Sequence, residues 1–174
     1  MKVIEVQDLW KRYRLARDRA GALKELVPHL LRRGHRASPF WALRGMSFQV
    51  EQGERLGIMG PNGAGKTTLL KILAGVMHPT RGRIAVRGKV CPLIDLGFGF
   101  HPDLSGRDNI FLSGVILGLS RAQVKEKIPE IVAFAELDDF MDVPLKRYST
   151  GMQLRLGFAI AVHAEPDILL VDEA

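Results

Sequence analysis

The most informative stretch of the chain is GPNGAGKTT, which comprises Gly60, Pro61, Asn62, Gly63, Ala64, Gly65, Lys66, Thr67 and Thr68. It matches the pattern G-x-x-x-x-G-K-[ST], in which glycines let consecutive backbone N–H groups surround a β-phosphate. The residues before it predict a strand over 55–59, and those after it predict a helix over 67–73. Because the pattern requires this strand–loop–helix context, we interpret the stretch as a phosphate-binding loop rather than a glycine-rich turn.

Two side chains of this loop carry the chemistry of a bound nucleotide. Lys66 is expected to reach the β- and γ-phosphates, and the Thr67 hydroxyl is expected to bind Mg²⁺. The helix that follows adds the positive end of its dipole to the phosphate site. The stretch therefore predicts a nucleotide site with Mg²⁺ as the accompanying cation.

Length and composition indicate one globular domain. The chain has 174 residues, of which 47% are apolar and 25% are charged, and this is enough to bury one core. It has neither an apolar run of about 18 residues nor a secretory signal at its N-terminus, so we expect a cytoplasmic location. The single cysteine, Cys91, has no internal disulfide partner, and we expect it to be buried.

The net charge of +6 is concentrated in one segment. Residues 11–36 contain nine lysines and arginines but only two acidic residues. Within this segment, residues 16–34 show helical apolar spacing that Pro28 interrupts, which predicts a kinked helix or two short turns. The basic segment is compatible with anionic lipid, nucleic acid or a phosphorylated ligand, and equally with an insertion that packs on its own domain.

Alternating apolar and polar residues predict strands in the first half of the chain. Residues 2–6 and 46–50 precede the phosphate loop and suggest a small antiparallel β layer beside the nucleotide site. Residues 83–86 and 89–94 are expected to continue that layer.

Helices dominate the second half of the chain. Residues 107–117 are apolar on one side, and Ser120 with Gln123 forms the capping-box pattern that opens the next helix. Ser149 is expected to cap a further helix over residues 151–162, whose first backbone amides would be exposed to an anion.

The chain ends with an apolar run followed by two acids. Residues 168–171 are typical of a buried parallel strand, and Asp172 and Glu173 follow it directly. The carboxyl ends of such strands form the edge at which open α/β sheets bind ligands. Both carboxylates are therefore expected near the phosphate loop.

Three motifs occur in a fixed order along the chain, namely GPNGAGKTT at 60–68, YSTGMQLRL at 148–156 and ILLVDE at 168–173. Together they resemble the ATP-binding cassette (ABC) ATPase family, and the resemblance extends over nearly the whole chain. It implies an α/β fold with a P-loop NTPase core, an antiparallel β layer and an inserted helical subdomain. It also implies that the chain is incomplete at its C-terminus.

The resemblance implies one truncated ABC ATPase domain over residues 1–174. Its α/β nucleotide-binding core with the β layer would comprise residues 1–94 and 164–174. The basic insertion would occupy residues 16–38, and the helical subdomain with the signature helix would occupy residues 95–163.

The resemblance also implies roles for individual residues around ATP and Mg²⁺. Asp172 would hold Mg²⁺ through water, and Glu173 would be the general base that orients the attacking water. Lys66 would neutralise the departing charge, since phosphoryl transfer depends on positioning and charge neutralisation. Ser149 and Gly151 would face the γ-phosphate bound to a second subunit.

An aromatic side chain is expected to stack on the adenine ring. Tyr13 stands where the family's stacking residue would fall. Trp10, Phe40 and Trp41 are alternatives, and all four residues are also compatible with a packing role only.

Several features narrow the resemblance to one subfamily. Tyr148, Thr150 and Met152 depart from the common signature Leu-Ser-Gly-Gly-Gln. This YSTGM signature, the stretches LGFGF, SGRDNI and FWAL, and the basic insertion resemble the ATPase subunits that export O-antigen, capsular polysaccharide or teichoic acid. We therefore expect an ATPase coupled to transmembrane transport of a lipid-linked glycan.

The subfamily implies the partners and the location. Two copies would pair head to tail with ATP at their interface and would act on an integral-membrane permease. The protein would lie peripherally on the cytoplasmic face of the inner or plasma membrane. Nucleic acid is not expected as a partner, although an ABC ATPase that acts on nucleic acid and a nucleotide-binding regulatory module without turnover remain as alternatives.

Two elements of the family are missing from the sequence. The glutamine that couples the nucleotide site to the membrane partner does not occur between residues 94 and 105, where Asp95 is the nearest polar residue. The family's downstream histidine does not occur after Glu173. We therefore expect a fragment of a longer protein, with little ATP turnover from residues 1–174 alone.

Overall fold

The structure, a computed structural model, describes residues 1–13, 39–94 and 99–172. The basic insertion at 16–38, Asp95 and Glu173 lie outside the described residues. The described strands and α-helices are β1 (Lys2–Tyr13), β2 (Phe40–Glu51), α1 (Lys66–Leu73), β3 (Arg81–Val86), β4 (Val90–Leu93), α2 (Gly106–Ile116), α3 (Arg121–Ala135), α4 (Thr150–His163) and β5 (Ile168–Val171).

The predicted antiparallel β layer is present as a three-stranded sheet. Its order is β2-β1-β3, and both neighbours of β1 run antiparallel to it. The first two strands are longer than the sequence predicts, and their ladder extends to the pair formed by Tyr13 and Phe40. This extension brings aromatic residues of both strands to one end of the sheet.

The fourth strand corrects a prediction. Residues 89–94 were expected to continue the antiparallel layer, but β4 pairs in parallel with β5 in a second sheet. One backbone conformation and one hydrogen bond explain the change. Gly88 turns the chain with a φ of +111°, and the Asp167 carboxylate accepts a hydrogen bond from the backbone N–H of Lys89 at 2.6 Å. The start of β4 is thereby held beside the start of β5.

The strand predicted over residues 55–59 is wrong, because this segment has no regular secondary structure. A strand needs a neighbour to satisfy its backbone N–H and C=O groups, and no described strand pairs with this segment. Two of its apolar side chains are exposed, Leu56 by 50% and Met59 by 96%, whereas Ile58 is partly buried against the core.

The parallel strand predicted at 168–171 is confirmed, but only one of its faces is buried. Ile168 and Leu170 are buried, whereas Leu169 and Val171 are exposed. The strand pairs with β4, and its buried side chains join those of the β layer and α1 in one hydrophobic cluster. Cys91 on β4 is buried as expected, and this burial raises the pKa of its thiol.

The second hydrophobic cluster holds the helices together. It includes the fully buried Ile110 of α2, Val124 and Ile131 of α3, and Leu156 of α4. Each fully buried aliphatic side chain stabilises the fold by about 1.5–3 kcal/mol.

The helix starts follow the sequence closely. Ser120 and Gln123 form the expected capping box, with the Ser120 hydroxyl accepting from Gln123 N and the Gln123 amide oxygen accepting from Ser120 N. Ser149 caps α4 as predicted. Among the described residues, no helix combines the length and hydropathy that crossing a membrane requires.

Candidate functional site

The phosphate loop leads into α1, and its shape depends on glycine. Gly65 immediately precedes α1 with a φ of +99°, which side-chain-bearing residues rarely adopt. A Cβ at this position would lie only 2.5 Å from the backbone oxygen of Ala42 on β2. Both the backbone conformation and the lack of space therefore require glycine at residue 65.

The ammonium group of Lys66 lies against its own loop. Its Nζ donates to the Gly60 carbonyl at 2.9 Å and to the Pro61 carbonyl at 3.4 Å. The side chain thus folds back over the loop instead of extending into solvent. A positive charge is held where the backbone amides of a phosphate-binding loop meet their anion.

Thr67 and Asp172 meet although they are 105 residues apart. The Thr67 hydroxyl donates to Asp172 Oδ2 at 2.5 Å. Asp172 follows β5, and its backbone N–H donates to the Leu93 carbonyl at 3.1 Å, which extends the β4–β5 ladder to this residue. The fold therefore brings the loop hydroxyl and the strand-end carboxylate together, as the sequence predicts.

This pair of oxygen groups fits Mg²⁺. Hydroxyl and carboxylate oxygens are hard ligands, and Mg²⁺ usually binds through one or two protein groups, substrate phosphates and water. Within residues 1–13, 39–94 and 99–172, no group of three or more His, Cys, Asp or Glu side chains forms an all-protein metal site. The arrangement matches a cation that the protein and a nucleotide hold together.

A cavity of about 430 Å³ adjoins the loop and has two aromatic side chains in its wall. Tyr13 and Phe40 line it, together with Ala42 and residues 62–68. The Tyr13 hydroxyl lies 3.4 Å from Thr68 Oγ1 and donates to Met77 Sδ at 3.1 Å. The cavity therefore has an aromatic end beside its phosphate-binding end.

The two tryptophans occupy a different place. The rings of Trp10 and Trp41 meet edge to face with centroids 5.4 Å apart, and the Arg12 guanidinium lies 5.5 Å from the Trp41 ring centroid. The Trp10 indole donates to Asp8 Oδ1 at 2.7 Å. Neither tryptophan lines the cavity, so Tyr13 and Phe40 remain as the candidates for stacking on a base.

Ser149 precedes α4 as its N-cap, Gly151 lies in the first turn of the helix, and both residues are exposed. Ser149 Oγ accepts from the backbone N–H of Met152 at 3.2 Å. Gly151 has no left-handed φ, and the nearest atom to a Cβ built on it is Ser149 Oγ at 4.0 Å. The fold of this chain therefore tolerates a side chain at 151, in contrast to Gly65.

The structure separates the two groups of predicted site residues. Lys66, Thr67 and Tyr13 line one cavity, and Asp172 is joined to it by the hydrogen bond from Thr67. Among the described residues, no hydrogen bond joins Ser149 to that group. Glu173, the predicted general base, lies outside the described residues.

Two buried residues, Asn109 and Tyr148, were given no role by the sequence analysis. Asn109 has the larger number of hydrogen bonds. The Asn109 side chain donates to the carbonyls of His101, Leu104 and Ser105 at 2.9–3.1 Å, and it accepts from His101 N at 2.7 Å. It thereby fastens residues 101–105 to α2. The available signal was its position directly before the apolar residues 110–112 of α2, because an amide buried with them needs hydrogen-bond partners.

Comparisons with known proteins agree with the motifs. The family model described as ABC transporter matches residues 43–174. The O-antigen export system ATP-binding protein RfbB of Myxococcus xanthus is 46% identical over 99% of this chain and 41% of its own length. A protein of the same name from Klebsiella pneumoniae is 40% identical, over 98% of this chain and 70% of its own length. The teichoic acids export ATP-binding protein TagH of Enterococcus faecalis is 43% identical, over 95% of this chain and 36% of its own length.

Two solved structures show the same fold. One is a dimeric ATP-binding cassette bound to ADP and phosphate, with a TM-score of 0.74 and 22% identity over 98% of this chain and 73% of that chain. The other is an ATP-binding subunit of an ABC transporter, with a TM-score of 0.73 and 22% identity over 98% of this chain and 66% of that chain. The α/β fold of the ABC ATPase type predicted from the sequence is thereby confirmed.

Proposed function

Because the chain belongs to the ABC transporter family, we propose that it forms part of the ATP-binding and ATP-hydrolysing subunit of a lipid-linked polysaccharide exporter. The observation that carries the proposal is the contact between Thr67 and Asp172 beside the Lys66 loop. The names of the relatives, which concern export of O-antigen and teichoic acids, support the class of substrate.

The loop and its neighbours bind the triphosphate in this proposal. Backbone N–H groups of residues 60–68 surround the phosphates, and Lys66 moves from its loop carbonyls to phosphate oxygens. Thr67 and Asp172 hold Mg²⁺, which neutralises charge on the phosphate oxygens when it is bound. Tyr13 or Phe40 stacks on the adenine ring.

Hydrolysis requires a group that orients water toward the γ-phosphate. We assign this role to Glu173, because it directly follows Asp172 at the carboxyl end of β5. A positioned general base contributes about 10²–10⁴-fold to the rate of such a reaction. Replacement of Glu173 by Gln keeps the shape of the side chain and removes the base.

A second copy of the chain completes the site. The first turn of α4 exposes backbone amides, and Gly151 leaves room beside them that this chain does not use. The positive end of a helix dipole at such a turn favours the γ-phosphate of a facing copy. Two copies are then arranged head to tail. Each ATP is bound by the phosphate loop of one copy on one side and by Ser149 and Gly151 of the other copy on the opposite side.

The closure of the two copies on ATP is transmitted to a membrane permease. The closed pair of copies has contacts that the open pair lacks, so ATP shifts the equilibrium toward closure. Apolar side chains exposed on α2, namely Leu112, Val115 and Ile116, offer a surface for such a partner. The protein accordingly lies on the cytoplasmic face of the membrane, bound to its permease.

Steady-state ATP hydrolysis by the complete natural polypeptide tests the catalytic part of the proposal. Wild-type protein is expected to hydrolyse ATP in the presence of Mg²⁺, and Glu173→Gln is expected to abolish hydrolysis while prolonging the lifetime of an ATP-bound dimer. If Glu173→Gln retains wild-type hydrolysis, the general-base assignment is wrong.

The chain offers a matched pair of serines for testing the second copy. Ser149 and Ser120 cap α4 and α3 with the same contact, in which Oγ accepts from the N–H three residues later at 3.2 and 3.3 Å. Both Ser→Ala variants lose a helix cap and are expected to lose about 0.5–2 kcal/mol of stability. Only Ser149→Ala is expected to lower ATP hydrolysis and ATP-dependent dimerisation. Equal effects of the two variants on hydrolysis would contradict the proposed role of Ser149.

A further inference from the structure

We propose that Tyr148 is a positioning residue that holds the first turn of α4 so that Ser149 and Gly151 face the nucleotide of a second copy. The inference rests on the proposed function, because it concerns the residue immediately before the proposed contact. Tyr148 acts through Ser149 and Gly151 and does not itself touch the nucleotide.

Tyr148 is anchored at both its ring and its hydroxyl. The side chain is buried, and its hydroxyl donates to the Phe140 carbonyl at 2.6 Å. Its ring meets the Phe140 ring edge to face, with centroids 6.3 Å apart. Burial, with a smaller contribution from the negative charge of Asp142, raises the pKa of the Tyr148 hydroxyl, so that it keeps its proton to higher pH than an exposed tyrosine.

The first residue of α2 makes room for this hydroxyl. A Cβ built on Gly106 would overlap the Tyr148 hydroxyl oxygen, and it would lie 3.1 Å from Met141 Cε. Gly106 has no left-handed φ, so space rather than backbone conformation requires glycine there. Two stretches that the sequence analysis quoted separately, SGRDNI and YSTGM, thus meet at one contact.

Backbone hydrogen bonds fasten the segment that leads into α4. Residues 141–146 are bound to residues 102–107 by four of them: Gly106 N to Val143 O at 3.3 Å, Arg107 N to Met141 O at 3.0 Å, Leu145 N to Leu104 O at 2.9 Å, and Lys146 N to Pro102 O at 2.9 Å. Tyr148 is the last residue with a buried side chain before the exposed Ser149. The direction of the α4 N-terminus therefore depends on where Tyr148 is held.

The family signature commonly has leucine at the position of Tyr148. Leucine fills a buried space but has no group that donates a hydrogen bond to the Phe140 carbonyl. The tyrosine adds one directional bond to an otherwise apolar contact, and this bond fixes α4 relative to the start of α2.

The experiment uses the complete natural polypeptide carrying Glu173→Gln, in which ATP-dependent dimerisation is measured by sedimentation. Adding Tyr148→Phe removes a single oxygen atom and keeps the ring. The dimer dissociation constant is expected to rise about tenfold, as the loss of one oriented hydrogen bond allows. The MgATP affinity of the monomer, measured below the concentration at which dimers form, is expected to stay within about twofold, because Tyr148 does not line the cavity at the phosphate loop.

The buried residue Ile131 supplies a control for general destabilisation. Ile131 is fully buried in α3, in the same hydrophobic cluster as Tyr148. Ile131→Val is expected to lower the melting temperature of the protein without changing dimerisation. If Ile131→Val weakens dimerisation as much as Tyr148→Phe, a positioning role for Tyr148 is excluded.

Gly106→Ala tests the position of the Tyr148 hydroxyl in a second, independent way. The added methyl group displaces the Tyr148 hydroxyl and is expected to weaken dimerisation as Tyr148→Phe does. Combining the two changes is expected to give little further loss of dimer affinity, because Tyr148→Phe has already removed the hydroxyl oxygen that the added methyl group would displace. Additive losses would count against a shared contact and would overturn the inference.

The parent variant separates failure of this inference from failure of the proposed function. If Glu173→Gln protein does not dimerise with ATP, the proposed function fails and the inference falls with it. If it dimerises and Tyr148→Phe dimerises equally well, the role of Tyr148 is refuted while the proposed function stands.

Discussion

The phosphate loop and the first turn of α4 are the two places proposed to present backbone amides to an anion, and the chain holds them differently. In the loop, Gly63 and Gly65 adopt left-handed φ values of +80° and +99°, and Lys66 bonds to the loop's own carbonyls. The segment before the loop makes no strand ladder, and Met59 within it is almost fully exposed. The backbone conformation of the loop therefore follows from its own residue types, and the backbone of Ala42 adds a close approach at Gly65.

The first turn of α4 depends on distant residues instead. Leu156 and Ile160 of this helix are fully buried among side chains of α2 and α3, and Tyr148 bonds to the Phe140 carbonyl. Gly151 lies in ordinary helical conformation with space around it. The comparison teaches that the chain's own fold requires the motif glycine at residue 65 but not the one at residue 151, where space is left open.

The largest expected effect, on stability and nucleotide binding together, comes from Gly65→Ala. A side chain at this position combines a left-handed φ with a close approach to the Ala42 oxygen, so we expect a loss of at least about 2 kcal/mol in the free energy of unfolding. Saturable MgATP binding is expected to disappear. Urea unfolding and an ATP titration measure the two effects, and an unchanged protein would show that the loop is not held by its glycines.

Asn109→Ala tests the packing that holds the helical region. It leaves three carbonyls and one backbone N–H without their side-chain partner, and we expect a loss of about 2–4 kcal/mol in the free energy of unfolding. Asn109→Asp is expected to be similarly unstable at pH 7, because a carboxylate would face carbonyl oxygens.

The aspartate variant also gives a pH test. The carbonyls disfavour the charged carboxylate, so the folded state raises its pKa above the unfolded value. At low pH, where the new carboxyl is protonated, the free energy of unfolding of the variant is closest to that of wild type. The variant loses this stability as the pH rises through the raised pKa. Denaturant unfolding at pH 5 and 7 should show the variant closer to wild type at pH 5. An equal deficit at both values would contradict the hydrogen-bond assignment.

An intermediate effect is expected at the aromatic end of the cavity. Tyr13→Ala or Phe40→Ala should weaken ATP binding by roughly 1–3 kcal/mol for whichever residue stacks on the base. Inorganic triphosphate, which lacks a base, supplies the control and should bind equally to wild type and to both variants. Weaker binding of triphosphate by either variant would indicate a distorted loop instead of lost stacking.

The smallest expected effect on stability is that of Gly151→Ala. Alanine replaces glycine in a helix with free space around it, so unfolding should become harder by up to about 1 kcal/mol. ATP-dependent dimerisation should nevertheless weaken, because the added methyl group stands where the facing copy approaches. A variant that loses stability, or that dimerises normally, would contradict the proposed difference between Gly151 and Gly65.

The elements that could be predicted from the sequence are those whose signals are local. The caps at Ser120 and Ser149 and the strand before Asp172 depend on residues a few positions apart, and the structure has them where the sequence indicates. The phosphate loop is recognisable for the same reason.

The errors concern strand partners and packing. The strand expected over 55–59 and the antiparallel placement of 89–94 were wrong, because pairing depends on which segments meet in space. Likewise, no local signal joins Gly106 to Tyr148, which lie about forty residues apart and meet only in the folded chain.

Equilibrium binding of ATP to the complete natural polypeptide, with and without Mg²⁺, tests the account most directly. Wild-type protein should bind ATP saturably and more tightly with Mg²⁺. Asp172→Asn should lose the Mg²⁺ enhancement, and Lys66→Ala should bind at least about tenfold more weakly, since a charged hydrogen-bonding group is removed. Binding that neither variant changes, or the absence of saturable binding by the wild type, would contradict a nucleotide site built from the loop and Asp172.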